Sequence, residues 1–212
     1  NFPKEDLKNI SPQQATNHPI WKMGKKISVD SATLMNKGLE IIEAHHLFEI
    51  PSESIEVVIH KQSIIHGLAL MKNGSLFGHF GKPSMLNPID HALSWPEMKK
   101  NRVDPISITD LNNLSIELVD ETKNRSLSLS RLALKRGGIF PIFLNAANEI
   151  AVNAFLNNQI QFLDIIKIID KVIEDIGHCD NKSLETISDL EGIFSADSEA
   201  RRKALESIEL GF

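Results

Sequence analysis

The stretch at residues 27–48 constrains this chain more than any other part of the sequence. The residues at 26–29 include β-branched side chains typical of a strand. Asp30 and Ser31 follow, and both are residue types that cap helix N-termini, because a short side-chain oxygen can accept from free backbone N–H groups. Beyond them, apolar residues recur at helical spacing on one face: Leu34, Met35, Ile41 and Ile42. The pattern predicts a short strand that leads into a helix over residues 31–48.

The opposite face of this predicted helix gathers three polar side chains, Asn36, Lys37 and Glu40. Residues three and four positions apart are neighbours on a helix surface, so an amide, an ammonium and a carboxylate converge within about one turn. A solvated face with an ion pair is the ordinary interpretation. Two features favour a binding face instead, since Asn36 and Gly38 are both unfavourable inside a helix. Gly38 in particular predicts the close approach of another group.

Length and composition exclude several classes of protein. The chain has 212 residues, 42% hydrophobic and 24% charged, which is ordinary for a globular protein. Its net charge of −5 and its lack of a basic segment argue against nucleic-acid binding. The sequence has no apolar run long enough to span a membrane and no signal peptide. The single cysteine, Cys179, cannot form an internal disulfide, and we therefore expect a cytoplasmic location.

The middle of the chain reads as strands. Residues 54–60 are rich in β-branched side chains, and residues 64–70 and 76–80 flank an Asn-Gly pair at 72–75 that predicts a hairpin with a type I′ turn. Together with 26–29 these runs make about four strands beside the long helix. We therefore predict an α+β domain with one apolar sheet face.

The last part of the chain shows helical periodicity alone. A short helix at 90–95 ends at Pro96, and residues 97–120 lack a clear period. Further helices are predicted at 127–135, 145–156, 162–176 and 198–208, with a shorter one possible at 183–190. The predicted fold is therefore α+β: a small sheet with helices, followed by a C-terminal helical bundle. The predicted domains are a catalytic domain at 1–96, a linker at 97–120 and the bundle at 121–212.

Four segments make the chain resemble a known enzyme family. They read HPIWKMG at 18–24, KISVDSAT at 26–33, MNKGLE at 35–40 and LNAANEIA at 144–151. These segments closely resemble the 1-deoxy-D-xylulose 5-phosphate reductoisomerases, and the first three are nearly continuous. For 144–151 we expect helix capping and bundle packing, not chemistry.

The resemblance implies an enzyme of non-mevalonate isoprenoid biosynthesis. Members of the family rearrange 1-deoxy-D-xylulose 5-phosphate and reduce the product to 2-C-methyl-D-erythritol 4-phosphate. They use NADPH and a divalent metal, Mg²⁺ or Mn²⁺, and they form homodimers through the sheet. The resemblance also implies a preceding NADPH-binding domain with further metal carboxylates, which residues 1–212 do not contain. We therefore expect the chain to be a fragment that is inactive alone.

The resemblance assigns roles to individual residues. Residues 18–25 would form a lid loop over the substrate, and Glu40 would bind both metal and substrate. The implied catalytic residues are Glu40, Lys37 and His18. The implied substrate-binding residues are His18, Trp21, Ser31, Asn36, Lys37 and Glu40, and the implied cofactor-binding residues are Met23, Gly24 and Met85.

Several alternatives remain open. A non-catalytic dimerisation or scaffold module of the same fold is the main competing hypothesis, and a metal-dependent phosphosugar isomerase without redox chemistry is a weaker one. His60 and His66, with Ser63 between them, fit no zinc-site spacing, and a structural role ranks slightly ahead of a catalytic one. The chain also departs from its relatives at 126–133, where a Cys-and-Lys pattern is expected.

Overall fold

Helices dominate the beginning and the end of the sequence, and short strands occupy its middle. The computed structural model describes residues 6–17, 23–97, 103–177 and 189–211. The chain has an α+β fold that divides into two compact units, Asn1–Glu56 with Asp120–Phe212, and Val57–Val119. In the described residues, no helix is both long and apolar enough to cross a membrane.

The first unit begins with three helices: α1 at Pro12–Thr16, α2 at Lys25–Thr33 and α3 at Met35–Phe48. The strand predicted at 26–29 is wrong, since these residues lie within α2. Tertiary packing overrides the β-branched composition, because α2 buries Val29 completely. A salt bridge between Lys26 and Asp30, one helical turn apart, also suits a helix and not a strand.

Leu34 interrupts the single helix that the sequence predicted over 31–48. Its backbone is left-handed, with φ 62° and ψ 11°, so α2 ends and α3 begins around it. The predicted capping by Asp30 and Ser31 is therefore wrong, because both residues lie inside α2. The hydroxyl of Thr33 accepts from the backbone N–H of Met35 at 3.3 Å and satisfies one donor at the start of α3.

In the part of the first unit that the structure describes after residue 120, there are four further α-helices. They confirm the helices predicted at 127–135, 145–156, 162–176 and 198–208, and most extend further: α5 at Arg125–Arg136, α6 at Phe140–Leu156, α7 at Asp164–Gly177 and α8 at Leu190–Leu210. Helix α5 ends at Gly137, whose φ of 68° suits glycine. Helix α6 starts earlier than predicted because Pro141 is acceptable in a first turn. The helix considered at 183–190 falls almost wholly outside the described residues.

The core of the first unit lies between these helices. Helix α3 packs on α5, and α6 packs on both α7 and α8. The largest fully buried side chains come from most of these helices: Val29, Met35, Ile41, Leu127, Leu129, Leu144, Val152, Phe155, Ile165, Ile168, Ile169 and Ile173. The segment with the candidate site residues is thus packed directly against the bundle.

The described residues of the second unit form four strands in two separate antiparallel pairs. Strand β1 at Val58–Ile59 pairs with β4 at Glu117–Leu118, and β2 at Ile65–Leu70 pairs with β3 at Leu76–Phe80. The predicted sheet of about four strands is therefore wrong in detail, although the predicted hairpin is confirmed. The strand predicted at 54–60 shrinks to β1, because residues Ser52–Ser54 form a 3-10 turn.

The hairpin turn differs from the predicted type I′. Gly74 donates to the carbonyl of Met71 at 2.9 Å, and Met71 donates to the carbonyl of Ser75 at 2.8 Å. Gly74 has a φ of 84°, but Asn73 is not among the residues with positive φ. A type I′ turn needs positive φ at both central residues, so this loop is a type I turn followed by a left-handed glycine.

Helix α4 at Leu86–Ser94 confirms the short helix predicted before Pro96. Further along the chain, a 3-10 turn at Ile108–Leu111 precedes β4, a strand that the sequence did not predict. The domain division at 1–96, 97–120 and 121–212 stays a prediction, while the compact units of this structure divide the chain at 56 and 119.

Candidate functional site

The structure brings together the three polar side chains that helical spacing places on one face of α3. Asn36 Nδ2 donates to Glu40 Oε1 at 2.6 Å, and Lys37 Nζ lies 2.8 Å from both oxygens of the same carboxylate. We call Asn36, Lys37 and Glu40 the α3 polar cluster. The side chains of Lys37 and Glu40 are 45% and 47% exposed, so a ligand from solvent can reach both charges.

The α3 polar cluster offers an amide, a cation and a carboxylate to one ligand. An ammonium and an amide N–H suit phosphate oxygens and hydroxyl groups, and a carboxylate oxygen suits a hard divalent cation. Among the described residues, no group of three or more His, Cys, Asp or Glu side chains could hold a metal. Within this part of the chain Glu40 therefore offers a single ligand, and a complete metal site needs others.

Ser31 lies in α2, before the left-handed turn at Leu34. It is half-buried, and its carbonyl accepts from the backbone N–H of Leu34 at 3.3 Å. Ser31 lies inside α2 and not at the helix N-terminus where its residue type had placed it. Its hydroxyl remains a candidate ligand group on the turn that precedes α3.

Helix α5 contacts the turn between α2 and α3. Ser126 Oγ donates to the carbonyl of Thr33 at 2.7 Å, and Ser130 Oγ lies 3.7 Å from Met35 Sδ. Gly38 faces the same helix, and the close approach that the sequence predicted there is confirmed. Ser126 and Ser130, which lie where relatives are expected to differ, thus serve packing around α3.

Helix α6 contributes a buried contact that sequence reasoning missed. Asn148 Nδ2 donates to Asp30 Oδ1 at 2.9 Å, and both residues are buried. Lys26 Nζ lies 2.7 Å from the other oxygen of Asp30. Nothing in the sequence paired this carboxylate with this amide, because the two residues lie 118 positions apart.

Two of the predicted site residues, His18 and Trp21, lie outside the described residues, as does most of the predicted lid loop at 18–25. Of the predicted cofactor residues, Met23 is half-buried. Gly24 precedes α2, and no atom of the described residues lies within 4 Å of the position that a Cβ there would occupy. The described part of the chain thus leaves this end of α2 open.

The second unit holds Met85 and the histidines. Met85 is 60% exposed at the start of α4, so its apolar side chain is available for contact. His60 Nδ1 donates to the carbonyl of Ser115 at 2.8 Å, which makes Nε2 an acceptor in the neutral ring, and that buried atom has no partner among the described residues. This contact fits a structural role for His60 and leaves a catalytic role untested.

His66 lies beside a second imidazole. The ring centroids of His66 and His79 are 5.5 Å apart, and Ser63 has a left-handed backbone with φ 52°. Burial lowers the pKa of His66 below its usual value, and the neighbouring charge of His79 lowers that pKa further. His66 therefore favours its neutral form, which can both donate and accept a proton.

Two family models match the chain. A model described as the 1-deoxy-D-xylulose 5-phosphate reductoisomerase C-terminal domain matches residues 1–48, and a model of the DXP reductoisomerase C-terminal domain matches residues 80–203. The first match includes the α3 polar cluster and Ser31, and the second includes Met85 and most of the bundle.

Curated proteins and solved structures agree with these matches. The chain is 43% identical to the 1-deoxy-D-xylulose 5-phosphate reductoisomerase of Zymomonas mobilis over 96% of its own length and 51% of the relative. Identity to the Cupriavidus metallidurans protein of the same name is 47%, over 93% of this chain and 49% of that protein. The chain thus spans about half the length of the curated relatives it matches.

Two crystal structures show how closely the fold agrees. A DOX-P reductoisomerase in complex with NADPH, fosmidomycin and magnesium superposes with a TM-score of 0.91 at 40% identity, over 99% of this chain and 52% of that one. The Zymomonas mobilis enzyme in complex with NADPH gives a TM-score of 0.85 at 41% identity, over 97% of this chain and 51% of that one.

Proposed function

The chain belongs to the 1-deoxy-D-xylulose 5-phosphate reductoisomerase C-terminal domain family, and we propose that it forms the C-terminal half of such an enzyme. The proposed activity is the NADPH-dependent conversion of 1-deoxy-D-xylulose 5-phosphate to 2-C-methyl-D-erythritol 4-phosphate. The proposed setting is isoprenoid biosynthesis in the cytoplasm, and the single Cys179 supports that location.

The α3 polar cluster is the observation that supports this proposal. Its two charged side chains are each about half exposed, and exposed ion pairs contribute little to stability. Stability therefore does not explain an amide, a cation and a carboxylate on one turn. A sugar phosphate offers matching groups, since its hydroxyls can bond to Asn36 and Glu40 and its negative charge can pair with Lys37. Ser31 would add a hydroxyl, and His18 and Trp21 would cover the substrate on the strength of the 18–24 resemblance.

A divalent cation fits one member of the cluster. Glu40 has a hard carboxylate that is open to solvent and is paired with Lys37. The structures similar to this chain include one in complex with magnesium. When bound, Mg²⁺ or Mn²⁺ would polarise substrate oxygens. The described residues add no further cluster of ligands, so we propose that Glu40 is one ligand of a site completed by other parts of the protein.

NADPH would supply the hydride, and we propose three residues that would contact it. Met23 and Gly24 lie at the open start of α2. In the second unit, Met85 presents an exposed thioether, an apolar group suited to contact with a flat nicotinamide ring. We propose these three residues as cofactor-binding residues.

We also propose that the second unit forms a homodimer through its hairpin. Strands β2 and β3 expose large apolar side chains on a two-stranded ribbon: Leu68, Leu70, Leu76, Phe77 and Phe80. An isolated two-stranded ribbon is marginal in water, and an apolar patch of this kind commonly marks an interface. A second copy of the chain would cover this ribbon.

NADPH oxidation by the full-length protein tests the function. The assay uses 1-deoxy-D-xylulose 5-phosphate with Mg²⁺ or Mn²⁺, and it compares the wild type with Glu40→Gln and with Glu43→Gln, a control at an exposed position on the same helix. We expect activity in the wild type and in the control, and a loss of about 10³-fold or more in Glu40→Gln.

Two results would contradict the proposal. A folded full-length protein with no turnover under either metal would favour the scaffold alternative. Metal-dependent isomerisation without NADPH oxidation would favour a phosphosugar isomerase instead.

A further inference from the structure

Asp30 and Asn148 join the α2 segment of the candidate site to the bundle through a buried hydrogen bond. Asn148 is fully buried in α6, Asp30 is 1% exposed, and the amide nitrogen donates to the carboxylate over 2.9 Å. Lys26 balances the charge from the other side at 2.7 Å. A buried carboxylate needs such partners, because losing its hydration is otherwise costly.

The amide of Asn148 is not there for packing alone. Its Oδ1 atom is buried and has no hydrogen-bond partner within the described part of the chain. An unpaired buried acceptor is destabilising, whereas an apolar side chain of similar size would be neutral or favourable at such a position. The important atom of Asn148 is therefore its amide nitrogen, which donates the hydrogen bond to Asp30.

The position of Asp30 makes this contact relevant to the site. Asp30 directly precedes Ser31, and it follows Val29, which packs fully in the core. Apolar burial fixes how deeply α2 sits, but a directional hydrogen bond also limits its rotation about its own axis. The rotation of α2 sets where the Ser31 hydroxyl lies.

We propose that Asn148 is a positioning residue of the candidate site: by holding Asp30 it fixes the turn of α2 that presents Ser31. The link between Asn148 and the substrate rests on the proposed function, whereas the effect of Asn148 on α2 rests on the buried contact alone. It gives the bundle a part in substrate binding, through its effect on α2.

Steady-state kinetics of the full-length enzyme test the proposal with three variants. Asn148→Leu removes the donor and keeps the volume. The double variant Asp30→Asn with Asn148→Asp exchanges the two groups and restores the hydrogen bond. Asn153→Leu makes the same chemical change at an exposed position of α6 and serves as the control.

We expect the KM for the sugar phosphate to rise about tenfold in Asn148→Leu, with a smaller change in kcat. The exchanged double variant re-forms the hydrogen bond but leaves Lys26 facing an amide, so its KM should lie between those of the wild type and Asn148→Leu. A merely structural role would lower the folded fraction, which reduces apparent kcat and leaves KM unchanged, so that result would overturn the proposal. Equal KM defects in the single and exchanged variants would overturn it too.

Hydrogen exchange separates this proposal from the proposed function. Amide protons of Lys25–Thr33 should exchange faster in Asn148→Leu than in the wild type or Asn153→Leu, and this readout needs no turnover. Unchanged exchange in α2 would refute the positioning role even in an active enzyme. If Asn148→Leu does not fold, Asn148→Ser, whose hydroxyl is too short to reach Asp30, takes its place in both measurements. An inactive wild type with faster exchange in the variant would instead reject the enzymatic function alone.

Discussion

Gly38 in α3 lies so close to Ser130 in α5 that a Cβ added to Gly38 would stand 2.1 Å from Ser130 Oγ and 2.9 Å from Ser130 Cβ. The absence of a side chain at Gly38 is thus what permits α3 to pack against α5. We predict that Gly38→Ala destabilises the protein by about 1–3 kcal/mol, although alanine is the better helix former. Urea unfolding measures this change.

A matched substitution and a double variant give this prediction its controls. No atom of the described residues lies within 4 Å of the Cβ position at Gly67, so Gly67→Ala should lack the steric cost. Ser130→Gly combined with Gly38→Ala should recover part of the loss, as a favourable coupling energy in a double-mutant cycle. If Gly38→Ala is as stable as the wild type, the packing described for α3 and α5 is wrong.

Arg131 links two segments of the first unit that flank the second unit in sequence, one ending at Glu56 and the other beginning at Asp120. Its guanidinium forms a bidentate pair with Glu121 and donates to the carbonyls of Ser52 and Ile55. A lysine offers only a point charge and cannot reproduce this fork. We predict that Arg131→Lys costs about 1–3 kcal/mol of unfolding free energy, nearly as much as Arg131→Ala.

Arg125 is the control for this arginine. It also forms a bidentate pair, with Asp170, but its side chain is 50% exposed against 24% for Arg131. Solvent screens exposed pairs, so Arg125→Lys should cost less than Arg131→Lys in the same thermal or urea unfolding series. Equal costs would show that Arg131 acts only as a surface charge.

The α3 polar cluster should matter little for stability. Lys37 and Glu40 are each about half exposed, and a pair of this kind contributes at most about 1 kcal/mol. We predict that Lys37→Met leaves the unfolding free energy within about 1 kcal/mol of the wild type, while it weakens binding of the sugar phosphate by the full-length enzyme. Calorimetric titration measures the binding, and a large loss of stability with unchanged affinity would assign Lys37 to the structure instead.

His66 gives the protein a pH dependence with a definite sign. Burial and the charge of His79 lower its pKa in the folded state, whereas the unfolded chain titrates near 6.5. As the pH falls through about 6.5, the unfolded state binds a proton first, so stability decreases and levels off below the folded pKa. Urea unfolding from about pH 7.5 to 5 should show a smaller decrease for His66→Gln than for the wild type.

Local patterns predicted the features that depend on neighbours in sequence. The isoleucines of α7 recur at helical spacing, and those at Ile165, Ile168 and Ile169 are fully buried. The α3 polar cluster was predicted for the same reason, since its members lie three and four positions apart. Helical periodicity is a strong signal because it repeats over several turns.

Features that depend on distant partners were not predictable in this way. Leu34 has a left-handed backbone, a conformation that glycine and asparagine favour and leucine rarely adopts, so its residue type did not predict it. Asp30 was predicted to cap a helix, since no local pattern indicates its partner Asn148, which lies 118 residues away. Likewise, two-residue strands such as β1 and β4 show no alternation by themselves, and they become strands only through each other.

The long sequence separation of these contacts has a consequence for synthesis on the ribosome. Helix α3 leaves the ribosome well before α5, which packs against it, and the Asp30 contact to Asn148 in α6 spans 118 residues. At about 5–20 residues per second, the nascent chain spends on the order of ten seconds with the apolar face of α3 uncovered. The second unit is translated during that interval. The apolar face of α3 therefore needs to be shielded during synthesis, a need that is not visible in the finished fold.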